Sequence, residues 1–202
     1  MVDLENVNFS YDEQYGTLRD ISLHIRQGEC LLLCGESGCG KTTITKLING
    51  LIPYFTPGEY LSGKVCVSGK VVADTKIYEL AKTVGSVFQN PKSQFFNLDS
   101  DSGLAFGLEN EGLPPVKIAE RISKTIHDLH IESLEHRGIF SMSGGEKQSL
   151  AFASVFAMQP KVFVLDEPSA NLDMSAIEIL RKQIAKIKQR GHTVIIAEKV
   201  TG

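Results

Sequence analysis

The sequence predicts an α/β fold with a parallel core sheet, a small antiparallel β-subdomain and a helical subdomain. Short apolar runs at residues 31–33, 162–165 and 194–197 are typical of strands buried on both faces of a parallel sheet. Segments with helical periodicity separate these runs, whereas the N-terminal segment alternates in polarity as half-buried strands do. An α/β architecture accounts for all three patterns.

The chain is predicted to begin with strands. Residues 7–11 and 21–25 alternate in polarity on either side of a loop at 12–16. Residues 29–34 form a continuous apolar run, which predicts a strand buried on both faces. A glycine-rich loop follows, and apolar residues recurring between 44 and 51 then predict a helix.

The middle of the chain is predicted to change from strands to helices. Turn-forming residues at 53–58 precede a hairpin over 63–72 and a strand over 83–89. Helical periodicity is clearest at 116–129, and we expect a helical subdomain over about 91–158.

Strands are again expected near the C-terminus, at 162–166 and 193–197. Between them, Ser175 and Glu178 have the spacing of a capping box that opens a helix, and Gly191 marks its end. The whole chain, 1–202, fits one domain, and it fits equally one half of a longer tandem chain.

Composition excludes several classes of protein. The 24 acidic and 21 basic residues give a net charge of -3, so no overall positive field attracts nucleic acid, and we expect no nucleic-acid partner. No apolar run approaches the ~18 residues of a membrane span, and the acidic N-terminal segment does not resemble a signal peptide. A cytoplasmic location is expected.

The four cysteines do not show the spacing of a metal or redox site. Cys30, Cys34 and Cys66 lie in apolar runs, where we expect them to be small core residues, and Cys39 lies in the glycine-rich loop. Free thiols agree with a reducing compartment.

Residues 35–42 match the pattern G-x-x-x-x-G-K-[ST] between a predicted buried strand and a predicted helix, which is the context that this phosphate-binding motif requires. Its glycines let backbone N–H groups face phosphate oxygens, and the helix N-terminus adds positive potential. Lys41 can neutralise β- and γ-phosphates, and Thr42 can offer its hydroxyl to Mg²⁺. The alternative is a glycine turn with a surface lysine. The loop comprises Gly35, Glu36, Ser37, Gly38, Cys39, Gly40, Lys41 and Thr42.

Two carboxylates end the predicted strand at 162–166, and such strand ends are where open α/β sheets place ligands. Asp166 can hold Mg²⁺ through water, and Glu167 can face the attacking water. A strand that merely leads into a turn is the alternative, but the pairing with a phosphate loop favours a nucleotide site.

Residues 143–146 read Ser-Gly-Gly-Glu at the start of a predicted helix over 146–158. They fit a capping box, in which Ser143 and Glu146 satisfy the first N–H groups of the helix. The same geometry at Gly144 and Gly145 exposes N–H groups to an anion. Both interpretations can hold together.

These motifs, taken in order with Gln89 and the run Ala-Asn-Leu-Asp at 170–173, resemble the nucleotide-binding subunit of ABC transporters. The resemblance covers nearly the whole chain and implies a P-loop NTPase fold. It implies that Gln89 links Mg²⁺ to a membrane partner, that residues 143–146 reach the ATP of a second subunit, and that Asp173 closes the D-loop. Tyr11 falls where the family stacks an aromatic ring on adenine; packing within its strand is the alternative. The phosphate-binding set implied by the family extends to Thr43.

A narrower resemblance is to the ATPases of energy-coupling-factor importers, which serve vitamins and transition-metal ions. It is carried by residues 49–53, by 89–91 with Gln94 and Phe95, and by 105–110.

The chain departs from the family at four positions. Lys199 stands where the family has a switch histidine at the γ-phosphate, and lysine can pair with phosphate but cannot relay a hydrogen bond. Glu146 replaces a glutamine, and its charge is unfavourable near ATP unless it turns back to cap its own helix. Ser149 replaces an arginine, and Gly103 stands where the narrower group often has an acid.

The resemblance therefore implies a subunit that binds and hydrolyses MgATP in a homo- or heterodimer and powers import through transmembrane subunits. Its place would be peripheral, on the cytoplasmic face of the membrane. Glu167, Gln89 and Lys199 would act in catalysis, while Thr42, Gln89 and Asp166 would serve the metal. Two alternatives stay open, a soluble non-transport ABC ATPase and a low-turnover nucleotide-binding half.

Overall fold

The structure is a computed structural model that describes residues 1–11, 16–56, 60–95 and 97–200. Its described strands form two four-stranded sheets. The strands are β1 (Val2–Phe9), β2 (Leu18–Ile25), β3 (Cys30–Gly35), β4 (Ser62–Val67), β5 (Lys70–Val71), β6 (Val84–Val87), β7 (Val162–Asp166) and β8 (Thr193–Lys199). The helices are α1 (Lys41–Ile48), α2 (Leu51–Tyr54), α3 (Ile77–Ala81), α4 (Ser100–Asn110), α5 (Pro115–Leu129), α6 (Gly144–Met158) and α7 (Met174–Gln189). Short 3₁₀ turns lie at 72–74, 91–94, 132–134 and 139–141.

The first sheet is antiparallel, with strand order β2-β1-β4-β5, and the second is parallel, with order β3-β8-β7-β6. Helices connect the strands of the parallel sheet, as parallel pairing requires. The predicted α/β class with a parallel core and a small antiparallel part is confirmed. Because the strands run parallel, the loops after β3, β6, β7 and β8 gather at one edge of this sheet.

The helix α1 packs between the two sheets. Its Leu47 and Ile48 are almost fully buried, and they share a core cluster with Val2 and Val67 of the antiparallel sheet and with Ile195 of the parallel sheet. This shared core fixes the start of α1, and hence the loop before it, relative to both sheets.

A second core cluster surrounds α6 on the other part of the molecule. Phe152 and Phe156 of α6 stack on each other, and Phe152 also stacks on Phe163 of β7. The apolar faces of α4 and α5 contribute Leu104 and Ile126 to the same cluster. The helices predicted between 91 and 158 are present; that they form a subdomain of their own stays a prediction.

The interpretation of β3 as a strand buried on both faces is wrong. It is an edge strand of the parallel sheet, so alternate side chains face solvent: Leu32 is 55 % exposed, and Cys34 is exposed as well. Cys34 is therefore not a core residue. Cys30 and Cys66 are partly buried, and all four cysteines are free thiols. A continuous apolar run cannot distinguish an edge strand from a central one, because neighbours across the sheet decide it.

Two local predictions also need correction. Pro53 lies within α2 and not in a turn, because the backbone kinks at Ile52 and lets proline enter the short helix. The cap of α7 is Asp173, whose carboxylate accepts from the N–H of Ala176, so Ser175 is already inside the helix. The predicted loop at 12–16 lies largely outside the described residues.

Backbone hydrogen bonds tie the start of α4 to the segment that leads into α6. Asp99 and Gly138 form a β-bridge. The Ser100 N–H donates to the Arg137 carbonyl, and the Ile139 N–H donates to the Leu98 carbonyl, each at 2.9 Å. We call this set of contacts the α4 clasp.

Candidate active site

The loop between β3 and α1 is shaped by glycine. Gly40 has φ 95°, a backbone angle that strains any other residue, and a Cβ there would approach the Leu18 side chain to 2.7 Å, so Leu18 would have to shift. Gly38 also has a positive φ, 83°. Glu36, Ser37, Gly38 and Cys39 are exposed, which leaves the loop open to a ligand.

Lys41 is folded back into this loop. Its ammonium donates to the carbonyl oxygens of Gly35 and Glu36, each at 2.8 Å, and lies 3.6 Å from the Cys39 sulfur. The residue is only 6 % exposed. The surface-lysine alternative is therefore wrong. The Lys41 ammonium lies within the loop, and an anion can replace the two carbonyl oxygens that it binds.

Thr42 and Asp166 meet at the edge of the sheet. The Thr42 hydroxyl donates to an Asp166 carboxylate oxygen at 3.0 Å. Burial raises the pKa of Asp166 above its ordinary value, and the Thr42 bond and the charges of Lys46 and Lys41 offset this only in part. The charged form of Asp166 is thus under-compensated in the structure.

Glu167 and Gln89 come together from the ends of β7 and β6. The Gln89 side-chain amide donates to a Glu167 carboxylate oxygen at 2.9 Å. The Glu167 N–H donates to the Ala197 carbonyl of β8 at 2.8 Å. Lys199 lies two residues further along β8, in register with Gly35, and is exposed. Gln89, Glu167 and Lys199 thus lie at the same edge of the sheet, together with Ala197.

Tyr11 follows β1 and lies against α1. Its hydroxyl is 3.3 Å from the Thr43 hydroxyl, and its ring meets Phe9 edge-on with centroids 4.8 Å apart. The Lys46 ammonium lies 5.8 Å from the ring centroid. With 49 % of its surface exposed, Tyr11 both packs on its own strand and offers a ring face beside the phosphate loop.

Residues 143–146 form the N-terminus of α6. Ser143 accepts from the Glu146 N–H, and the Glu146 carboxylate accepts from the Ser143 N–H at 2.7 Å, so the capping box is confirmed. Arg137 donates to the same carboxylate at 2.5 Å. These bonds, from the Ser143 N–H first and then from Arg137, hold the pKa of Glu146 below its ordinary value. Glu146 turns back on its helix, while Gly144 is exposed and Gly145 half-buried.

The predicted site residues thus fall into two groups. The first group lies at the edge of the parallel sheet, with Tyr11 beside it; it comprises the phosphate loop with Thr42, Thr43, Asp166, Glu167, Gln89 and Lys199. The second group is residues 143–146. Among the described residues, no hydrogen bond or ion pair joins the first group to the second.

Sequence reasoning missed three charged residues at these sites. Lys46 lies one turn after Thr42 on α1, a spacing that could have been noticed. Glu198 accepts from the Ser169 N–H at 3.2 Å and so holds the turn after Glu167. Arg137 is nine positions from Glu146 and not on a shared helix, and no local pattern identifies it.

Comparison with known proteins decides the family. The family model for the ABC transporter matches residues 18–170, about three quarters of the chain. This chain is an ATP-binding domain of the ABC transporter family. The resemblance drawn from the motifs is confirmed.

The ABC relatives match almost the whole chain. An ABC transporter ATP-binding protein of Treponema denticola is 54 % identical over 98 % of the chain, which spans 40 % of that protein. YkoD of Bacillus subtilis, named for HMP/thiamine import, is 36 % identical over 98 % of the chain, which spans 37 % of it. The chain therefore spans about two fifths of the length of these curated relatives.

Solved structures agree with the fold. The structure of cbiO1 from Clostridium perfringens, described as part of the ABC transporter complex cbiONQ, gives a TM-score of 0.86 at 30 % identity. It covers 98 % of this chain, which covers 78 % of cbiO1. An ATP-binding cassette bound to ADP and Pi gives a TM-score of 0.83 at 24 % identity, with 98 % of this chain and 88 % of that one covered. The P-loop NTPase fold is confirmed.

This ABC domain also carries an apolar groove of about 590 Å³ between α3, β6, α4 and the end of α6. Its wall includes Phe88, Phe95 and Gly103, and the exposed Tyr78 and Phe106 also line it. Each helix in the described part of the chain is too short or too polar to cross a lipid bilayer.

Proposed function

We propose that the chain binds ATP with Mg²⁺ and hydrolyses it, as one ATPase unit of an importer of the energy-coupling-factor type. One observation carries the proposal: the phosphate loop, the Thr42–Asp166 pair and the Glu167–Gln89 pair converge at one edge of the parallel sheet. Family membership and the likeness to cbiO1 and YkoD support it.

Binding begins at the loop. Phosphate oxygens replace the Gly35 and Glu36 carbonyls as partners of the Lys41 ammonium, since a charged acceptor makes a stronger bond than a neutral one. The N–H groups at Gly38, Gly40 and the start of α1 supply further donors, aided by the positive end of the helix. Tyr11 offers its exposed ring to the base.

The residues at the sheet edge suit Mg²⁺. The cation prefers oxygen ligands, and the Thr42 hydroxyl and the Asp166 carboxylate supply them side by side. Asp166 is partly buried with its charge under-compensated, so a cation there stabilises its ionised form. Gln89 would contribute its amide oxygen. When bound, the metal neutralises phosphate charge that develops during transfer.

Glu167 is the candidate for activating water. Its carboxylate already accepts the Gln89 amide, and the other oxygen can accept a proton or orient a water molecule beside the phosphate loop. Gln89 thereby positions Glu167, which connects the catalytic carboxylate to the segment that follows β6.

The experiment that tests this function is Glu167→Gln. The variant should keep MgATP affinity within about twofold, because it leaves the phosphate loop intact, and should lower hydrolysis by ~10² or more. Glu178→Gln, an exposed position on α7, is the matched control and should change neither. Turnover of Glu167→Gln equal to that of the control would exclude the assigned role.

The assembly follows from the second group of residues. Gly144 is exposed at the start of α6, and among the described residues no hydrogen bond joins residues 143–146 to the chain's own phosphate loop, which suits binding the ATP of a second ABC unit head to tail. The apolar groove suits a helix of a transmembrane subunit, which would hold the domain at the cytoplasmic face of the membrane. The chain spans 40 % of the length of its Treponema denticola relative. That length is compatible with a tandem protein in which a single domain over 1–202 forms one half.

A second function, a nucleotide-binding half with low turnover, is favoured by Lys199. It lies in register with Gly35 at the loop, where its charge can hold phosphate. A lysine donates but cannot accept, so it cannot relay a hydrogen bond between water and the γ-phosphate. Single-turnover cleavage by the assembled dimer distinguishes this function from fast hydrolysis.

A further inference from the structure

A second cavity, of about 500 Å³, lies away from the residues of the phosphate loop. Its wall is formed by the end of α5, the turn at 132–134, the first two turns of α6 and the middle of α7. Of the described residues assigned to ATP, it touches Gly145 and Glu146, at the start of α6. Its volume would hold a small organic molecule.

Gln183 of α7 is one of the residues around this cavity, and its side-chain amide is buried without a hydrogen-bond partner among the described residues. The residue is 2 % exposed, and neither its amide oxygen nor its amide nitrogen has a hydrogen-bond partner in the described structure. Most buried polar side chains have partners, so an orphaned donor and acceptor together indicate a missing one. Both amide atoms are buried, so a ligand that offers an acceptor and a donor side by side would satisfy them once the side chain turns towards the cavity.

The charges around the cavity favour an anion. Asp128 and Glu146, its two acidic wall residues, are already paired with Arg190 and Arg137 respectively. Its two lysines, Lys182 and Lys186, lie one turn apart on α7 and make no ion pair among the described residues. The charges left without partners are therefore positive.

The rest of the wall is mostly apolar, with His130 and Ser133 as polar exceptions. Leu129, Ile131, Leu134 and Ile179 line it, and Ser149 adds a short side chain from α6. Ser149 stands where the family resemblance places an arginine, so the smaller residue leaves room in this cavity. An occupant would need an apolar body in addition to its charge.

We propose that this cavity binds a small organic acid with an apolar ring or chain and a hydrogen-bond donor next to its carboxylate. The carboxylate faces Lys182 and Lys186, the donor and one acceptor oxygen pair with Gln183, and the body fills the apolar wall. Such an occupant touches α6 and α7 together. Its binding does not depend on the proposed ATPase function.

Indole-2-carboxylate is a suitable probe, because its N–H lies beside its carboxylate on an apolar ring. The chain contains no tryptophan, so indole fluorescence excited beyond tyrosine absorption reports the probe alone. Titration of the 202-residue chain should give one saturable site. Benzofuran-2-carboxylate, which lacks the N–H, and indole-2-carboxamide, which lacks the charge, should each bind at least threefold more weakly in a competition assay.

Variants locate the site. Gln183→Leu removes the amide at similar size and should weaken binding at least tenfold while folding at least as stably as the native chain. Lys182→Gln with Lys186→Gln should also weaken binding at least tenfold, whereas Lys188→Gln, on the same helix outside the cavity, should not. Excess ATP should not displace the probe.

Three results would overturn the proposal: no saturable binding, unchanged affinity in a folded Gln183→Leu variant, or displacement by ATP. None of them bears on the ATPase assignment, because hydrolysis and ATP affinity are measured separately.

Discussion

Glu167 has a left-handed backbone, with φ 44°, which is uncommon for a residue with a side chain. This conformation costs roughly 1–2 kcal/mol, and the hydrogen bond from its N–H to Ala197 helps to hold it. Strained residues of this kind cluster at functional sites. The bond also fixes the position of Glu167 relative to β8, and hence to Lys199.

Lys199→His tests whether lysine slows the reaction. Histidine can accept at one ring nitrogen and donate from the other, so the variant should cleave ATP faster, while both the variant and the native chain should bind ATP. Single-turnover cleavage is measured in the assembled dimer with the glutamate of the other site disabled. A variant no faster than the native site would show that Lys199 is not limiting.

Asp166→Asn should raise the Tm by a few degrees when no divalent cation is present. The folded chain favours the protonated Asp166 carboxyl, because its pKa in the folded state is raised above the unfolded value near 3.8. The stability that Asp166 contributes is therefore fully present below the unfolded pKa and is lost as the pH rises through the folded pKa. The gain from asparagine should therefore grow with pH. Thermal unfolding between about pH 4 and 8 measures it. Equal Tm values at neutral pH would contradict the buried-charge argument.

At the scale of elements, the caps of α6 and α7 show what local sequence can and cannot resolve. The Ser143 cap was predictable from the sequence, because Ser143 is followed by two glycines and by a glutamate three residues later, which together identify the N-cap. Near α7, Asp173 and Ser175 are both suitable N-cap residues, and they lie only two positions apart. The extended backbone at Asp173 makes Asp173 the cap.

Asp173→Ala should therefore destabilise the fold by about 1 kcal/mol, as loss of an N-cap does, whereas Ser175→Ala should be nearly neutral. Chemical denaturation of both variants without nucleotide isolates this effect from any role of Asp173 in a dimer. If Ser175→Ala proved the more damaging change, the assigned cap would be wrong.

Most strands and helices, and the residues of the phosphate loop, follow from the sequence, because periodicity and the motif are local signals. The exposure of Cys34 and the pairing of Glu146 with Arg137 do not, because each depends on what lies beside it in three dimensions. The unpartnered amide of Gln183 is invisible for the same reason: α7 has an ordinary amphipathic pattern, and only the packing of α5 and α6 leaves the amide alone.

At the scale of the whole molecule, the groove between the sheet and the helices is an apolar surface that the proposed ATP site does not use. Its rim residues Tyr78 and Phe106 are 58 % and 42 % exposed. Exposed aromatic side chains around an apolar groove are typical of protein interfaces.

If the proposed transmembrane subunit docks in this groove, Tyr78→Asp should lower its co-purification with the domain at least tenfold, since the variant places an unpaired charge in an apolar contact. ATP affinity should not change. Val116→Asp, at an exposed position on α5 outside the groove, is the control. Full co-purification of the Tyr78 variant would exclude this groove as the contact.

The α4 clasp has a mechanical consequence. Helix α4 lines the groove with several residues between 103 and 110, while residues 98–100 at its start are bonded to residues 137–139. Arg137 in turn forms an ion pair with Glu146 in the cap of α6. Hydrogen-bond lengths vary only within a few tenths of an ångström, so we expect these segments to shift together. A force applied in the groove would thus arrive at the N-terminus of α6 as a displacement.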